Sequence, residues 1–253
     1  MKRKLTSHFQ RLTQISILFS SLILLTKCNQ GGEKETTTLN GRFVNETFLK
    51  QVSDSIPGLV PVYCYELTFD GTDSVSILYG FEQAKLAYKK SGEKYQISKA
   101  LKDKDMIFTL TEDSTLNLID SAWNGVNQNS TFKQVKNSHN FISSLNKQMI
   151  AGEYTLFKDD KSLKIKVNLK EDGSVSGLGK FTNYTICYSG DCVGEIYPIS
   201  NSITFSDDQK ETVLYAFKID KTKSKLSIYH VEAPVKDIKG ERAVKELAFD
   251  LRK

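Results

Sequence analysis

Residues 163–170 read "LKIKVNLK". Leu163, Ile165, Val167 and Leu169 alternate with Lys164, Lys166, Asn168 and Lys170. Successive side chains of an extended chain point to opposite faces, so this octapeptide predicts a strand with one face on a core and one in water. A strand of a parallel sheet is buried on both faces and reads as a continuous apolar run. The alternation therefore points to an antiparallel sheet.

The same period extends outward in both directions. "YCYELTF" sets Tyr63, Tyr65, Leu67 and Phe69 on one face, and "TVLYAFKID" sets Val213, Tyr215, Phe217 and Ile219 together. "KLSIYHV" directs Leu226, Ile228 and His230 inward, against Ser227 and Tyr229. Between such runs stand "FDGTDS", "KSGEK", "KEDGS" and "YSGD", which place Gly beside Asp, Ser or Lys as short hairpins require. Pro57, Pro61, Pro198 and Pro234 fall between the strands, where a missing N–H costs no ladder bond.

Helical spacing occurs twice. In "NETFLKQVSDS", residues 45–55, it joins Phe48, Leu49 and Val52. In "NSHNFISSLNKQM", residues 137–149, it joins Phe141, Ile142, Leu145 and Met149, with Ser138 as N-cap. The second helix divides the chain. About eight short strands precede it and about eight follow, and ~100 residues with that many strands suffice to close a small barrel. The openings of the two halves, "LNGRFVNETF" and "IAGEYTLFKD", are alike: an apolar residue, then Gly, a charge and an aromatic. The expectation is an all-β chain of two small antiparallel barrels, residues 39–136 and 150–253, joined by a helix at 137–149. A single larger sheet assembly is the alternative.

The first 27 residues differ from the rest. They hold five cations (Lys2, Arg3, Lys4, Arg11 and Lys27) and no acid. Without them the formal charge of +5 disappears, which excludes the basic face a nucleic-acid binder would need. "ISILFSSLILL", residues 15–25, is too short to span a bilayer and has the length of a signal-peptide core, so residues 1–27 are expected to be an export leader. "LLTKC" resembles the lipobox of bacterial lipoprotein precursors. Leu25 and Thr26 match it, Lys27 stands where a small residue is usual, and Cys28 takes the place that receives diacylglycerol. "NQGGEKETTT" then reads as a polar tether over residues 28–38.

Gly-x-Phe/Tyr on a first strand resembles the opening of lipocalin-like (calycin) barrels, carried here by Gly41, Arg42 and Phe43 and again by Gly152, Glu153 and Tyr154. The tryptophan typical of that motif is absent at both. "LNGRFVNETFLKQVSDS" and "YELTFDGTDSVSILYGF" resemble uncharacterised lipoproteins of Bacteroidetes. The resemblance implies a cell-envelope protein, lipid-anchored at the outer membrane of a Gram-negative bacterium. It transfers no ligand-binding residues.

Chemistry-bearing residues are few. Cys187 and Cys192 enclose "YSGD" and are expected to pair in an oxidising compartment. Cys64 is the odd cysteine, read as a buried small apolar residue. His139 is expected near a helix start in solvent, and His230 within a strand. Gly173, Gly177 and Gly179 in "GSVSGLG" follow neither a serine-nucleophile nor a phosphate-loop spacing and read as close strand packing or a bulge. The 11 Tyr and 14 Phe could line a cavity, although aromatics also suit an ordinary β core. No catalytic set, metal or cofactor is expected. The function expected is binding of a small apolar ligand or an envelope protein partner, with a purely structural envelope component as the alternative. Replacing Cys28→Ala is expected to move the protein from the membrane fraction to the soluble one; a variant that stays on membranes overturns the anchor reading.

Overall fold

Strand formation follows the alternation closely in the first half. The computed structural model describes residues 38–101, 104–119, 130–136, 138–234 and 241–253, the Leu101 side chain apart. The expected leader, Cys28 and the tether up to residue 37 lie outside the described residues. Strands β1 (Asn40–Asn45), β2 (Glu66–Asp70), β3 (Ser74–Tyr79) and β4 (Glu82–Ser91) run on into β5 (Lys94–Leu101), β6 (Lys104–Leu110), β7 (Thr115–Leu118) and β8 (Thr131–Val135). Each pairs antiparallel with the next, and β8 pairs back onto β1, so the eight close into a barrel.

The barrel is filled by its own side chains. Phe43, Phe69, Phe108 and Phe132 are each at most 2% exposed, and Tyr88 and Tyr95 close the layer around them. Phe43 meets Phe69 edge-on at 5.6 Å, and Phe108 meets Phe132 at 5.5 Å. Such pairs contribute about 0.5–1.5 kcal/mol beyond the area they bury. The inward aromatics of this half belong to one buried core cluster.

Two short helices interrupt the strands. Helix α1 (Glu46–Gln51) starts where Asn45 leaves β1, and the Asn45 carboxamide accepts the Phe48 N–H at 2.9 Å while donating to the Cys64 carbonyl at 2.9 Å. Helix α2 (Phe141–Met149) begins four residues later than expected. Its N-cap is Asn140, not Ser138, because Asn140 and Ser143 form a reciprocal capping box.

The second half contains β9 (Gly152–Lys158), β10 (Lys161–Leu169), β11 (Val175–Ser176), β12 (Asn183–Ile186) and β13 (Ile196–Tyr197). It continues with β14 (Asn201–Ser206), β15 (Thr212–Ile219), β16 (Lys225–Val231) and β17 (Arg242–Arg252). These form one nine-stranded sheet in the order β11-β10-β9-β17-β16-β15-β14-β12, with β13 attached in parallel to the start of β17. The two end strands meet at an isolated bridge, Ser174 to Asn183, flanked by hydrogen bonds from Val175 N–H to Thr182 O and from Tyr184 N–H to Gly173 O. In each half the first strand pairs with both the second and the last: β1 with β2 and β8, β9 with β10 and β17.

The octapeptide 163–170 is a strand, yet only its second half faces the core. Val167 and Leu169 are fully buried, but Leu163 and Ile165 are 44% and 42% exposed. The register of β10 against β9 shifts between Ser162 and Lys166, and Lys164 sits there at φ 59°. This bulge turns the first half of β10 away from the core. His230 is likewise exposed rather than inward, just beyond register shifts of β16 against β17. Gly177 explains the glycine-rich stretch: a Cβ there would stand 1.9 Å from the Lys166 carbonyl, so the chains approach as only glycine allows.

A turn motif recurs that the strand pattern did not reveal. Between β2 and β3, Asp70 accepts hydrogen bonds from the Thr72 hydroxyl and N–H and from the Ser74 hydroxyl. Between β15 and β16, Asp220 accepts them from the Thr222 and Ser224 hydroxyls and the Lys225 N–H. The Thr72 hydroxyl, followed by Lys85, holds Asp70 far below the ordinary carboxylate range, and the Thr222 hydroxyl holds Asp220 at about 2. A carboxylate whose pKa is lowered by folding stabilises the fold above its unfolded pKa of about 4, and the effect is lost as pH falls through the folded value. The urea midpoint is therefore expected to drop as pH is taken from about 5 towards 2, and Asp70→Asn with Asp220→Asn should flatten that drop. An unchanged acid profile in the double variant counts against this role.

Candidate functional site

The two β assemblies meet in a buried cluster, to which the first half contributes the end of β1, α1 and the segment before β2. Val44, Phe48, Val52 and Tyr65 of the first half belong to the same buried cluster as Phe141 and Leu145 of α2 and as Phe205, Phe217 and Leu251 of the second sheet. Tyr65 is its hub, 5.0 Å from Phe48, 4.8 Å from Phe141 and 4.9 Å from Tyr188 between ring centres. Burial pushes the Tyr65 phenol upward and the Tyr188 phenol to about 12, so both remain neutral. Glu66, next along the chain, is 7% exposed. Its Oε2 accepts the Phe141 N–H at 2.7 Å, and its Oε1 accepts the Thr68 hydroxyl at 3.1 Å. Arg42 Nε lies 3.0 Å from Oε1, an ion pair without hydrogen-bond alignment, and a terminal nitrogen of Arg42 donates to the His139 carbonyl. A carboxylate at a helix N-terminus is favoured by the helix dipole.

Cys187 and Cys192 form a disulfide, their Cα atoms 6.1 Å apart. The enclosed loop is not the hairpin that "YSGD" predicts. β12 pairs with β14 and β13 with β17, so the loop is free to turn through a single 3-10 turn at Gly190–Cys192. It wedges against the first half. A Cβ on Gly58 would stand 2.7 Å from the Ser189 carbonyl, Gly80 lies beside Ser189 and Asp191, and Phe81 meets Tyr188 at 5.0 Å. Glycine at position 58 is what lets this loop seat.

Cys64 is fully buried, as expected, and its thiol contacts the Glu66 carbonyl. Burial pushes that thiol well above its ordinary value, the opposite of what a nucleophile needs. His139 stands 3.6 Å from Glu171, which also pairs with Lys147 at 3.0 Å. His230 packs on the Tyr215 ring at 5.5 Å. These groups are dispersed over the fold and are not brought together. Among the described residues no three or more His, Cys, Asp or Glu side chains are grouped so as to hold a metal ion.

The second sheet carries a surface groove of about 670 Å³ between the β9–β10 hairpin and β17. Leu156, Phe157, Leu163, Leu247, Ala248 and Phe249 give it an apolar floor. At its end Arg252 engages both Asp160 and Asp250, and Lys225 lies 3.4 Å from Asp250. The Arg252 hydrogen bonds hold the Asp250 carboxyl below its ordinary range. Sequence reading missed this groove because Leu163 looked like core. The one local signal was the density of lysines around it. No family model, no curated protein and no solved structure matches the chain.

Closing the short disulfide loop stabilises by about 2 kcal/mol in the chain-entropy model. Reductant is expected to lower Tm by roughly 4–8 °C in a chain of this size, and Cys187→Ser should match the reduced protein with no further response. A Tm that ignores reductant in the wild type removes any role for the bond in stability.

Proposed function

We propose that this chain is an exported lipoprotein of the cell envelope, anchored through Cys28 at the outer membrane of a Gram-negative bacterium, that acts by binding a protein partner rather than by catalysis. The leader and the "LLTKC" stretch support export and anchoring. The observation that carries the binding reading is the contrast between a packed interior and an apolar groove outside it. Phe43, Phe69, Phe108 and Phe132 are buried together in the core of the closed barrel, whereas Leu163 and Leu247 stand open on the surface. A protein surface is therefore the better-supported occupant of the two classes of ligand. The buried, unactivated Cys64 and the separated histidines favour binding over chemistry.

We further propose that the second sheet is a second lipocalin-like barrel, related to the first. Its support is the bridge between the end strands β11 and β12, the shared pairing of first strand with last, and the shared Gly-x-aromatic opening at Gly41 and Gly152. Native mass spectrometry of the protein extracted from membranes tests the binding reading. A stoichiometric protein partner is the expected result. A co-purifying small apolar molecule would return the ligand to the barrel, and a bare chain would favour a structural role in the envelope.

A further inference from the structure

The same side of β17 is paired at both ends and open in the middle. β13 lies against residues 242 and 243, and β9 lies against residues 250–252. Between them Val244, Leu247 and Phe249 pair with β16 on the far side, two register shifts leave Lys245, Glu246 and Ala248 out of that ladder, and no strand among the described residues pairs with the near side. The gap is six residues, or about 20 Å, the length of an average strand. It opens onto the apolar groove, with Leu247 47% and Leu163 44% exposed, and Tyr197, in register with Ala243 at its head, is 62% exposed.

We propose that residues 244–249 of β17 are a docking edge for an extended segment of a partner protein, with alternating apolar and acidic side chains, that adds as one further strand between β13 and β9. This deepens the binding reading above and rests on it. An open row of backbone N–H and C=O groups is matched by another backbone, which a lipid surface does not offer. A second copy of this chain fits poorly, because its own edge is recessed between the same two strands and the flanking strands would meet first. A free extended segment has no such obstruction. Apolar side chains suit the floor. Acidic ones suit the hairpin beside it, whose exposed Lys158, Lys161 and Lys164 form no ion pair among the described residues and outnumber the one unpaired acid there, Asp159, while Asp160 is already held by Arg252.

Hydrogen exchange on the purified full chain tests this, with the blocked hexapeptide Val-Glu-Val-Glu-Val-Glu as probe and Val-Lys-Val-Lys-Val-Lys as control. The acidic peptide is expected to slow exchange over residues 244–249 and the control is not. Reversing charge at Lys158→Glu, Lys161→Glu and Lys164→Glu together should weaken binding about tenfold, the combined effect of three exposed ion pairs. These side chains are exposed, so folding is not at stake. No slowing over 244–249 would mean that the bulges and nearby charges guard the edge, and would overturn the proposal. So would equal protection by both peptides, or protection that rises with protein concentration alone and marks self-pairing. A failed peptide test beside a stoichiometric partner in the mass spectrum rejects this edge while leaving the binding function intact.

Discussion

A carboxylate withdrawn from water must be satisfied on every side, and Glu66 is satisfied by groups from three parts of the chain. The β1 arginine Arg42 supplies charge, Thr68 a hydroxyl, and the first turn of α2 a backbone N–H. Removing one partner of such an arrangement leaves an uncompensated buried group, which costs more than the pair contributes. The geometry of the joint follows. The Phe141 N–H donates to Glu66 at 2.7 Å while α2 buries Phe141 and Leu145 in the shared cluster, where Tyr65 meets Phe48, Phe141 and Tyr188. The joint buries aromatic and aliphatic side chains together. Glu66 supplies the direction.

That joint also explains why the two halves are not independent beads. Phe48 of α1 and Val52 at its C-terminal end are buried in a cluster with residues of the second half although they follow directly on β1. The disulfide-closed loop seats on Gly58 from the other side. The second half thus completes its core with residues lent by the first, and the barrel's interior remains a separate cluster of its own.

Much of this was legible in the sequence because one physical rule governs most of it. Leu67 and Phe69, or Tyr215 and Phe217, are buried where period-two alternation puts them, and the first half holds eight strands, the number expected. Alternation fails where a bulge breaks the pleat. Leu163 and Ile165 are as apolar as Val167 and Leu169, and only the two-residue excess in β10 against β9 separates exposed from buried. The same holds for His230 beyond the shifts in β16. The groove was illegible for that reason. The disulfide was legible because spacing and turn chemistry are local, yet its loop is no hairpin because strand partners are set by non-local pairing. The N-cap of α2 moved because Asn140 and Ser143 answer each other, a pair stronger than a lone serine.

The spacing of the three described cysteines bears on how the chain oxidises. Cys187 and Cys192 are five residues apart, whereas Cys64 is 123 residues from Cys187. In an unfolded chain the loop-closure cost rises with the logarithm of separation, so the native pair is favoured over the mixed one by about 3 kcal/mol while the chain is still a coil. Folding then buries Cys64 in the barrel, where no oxidant or external thiol reaches it. Pairing fidelity is thus set by spacing early and by enclosure late, and the third cysteine stays a thiol by being sealed inside the barrel wall.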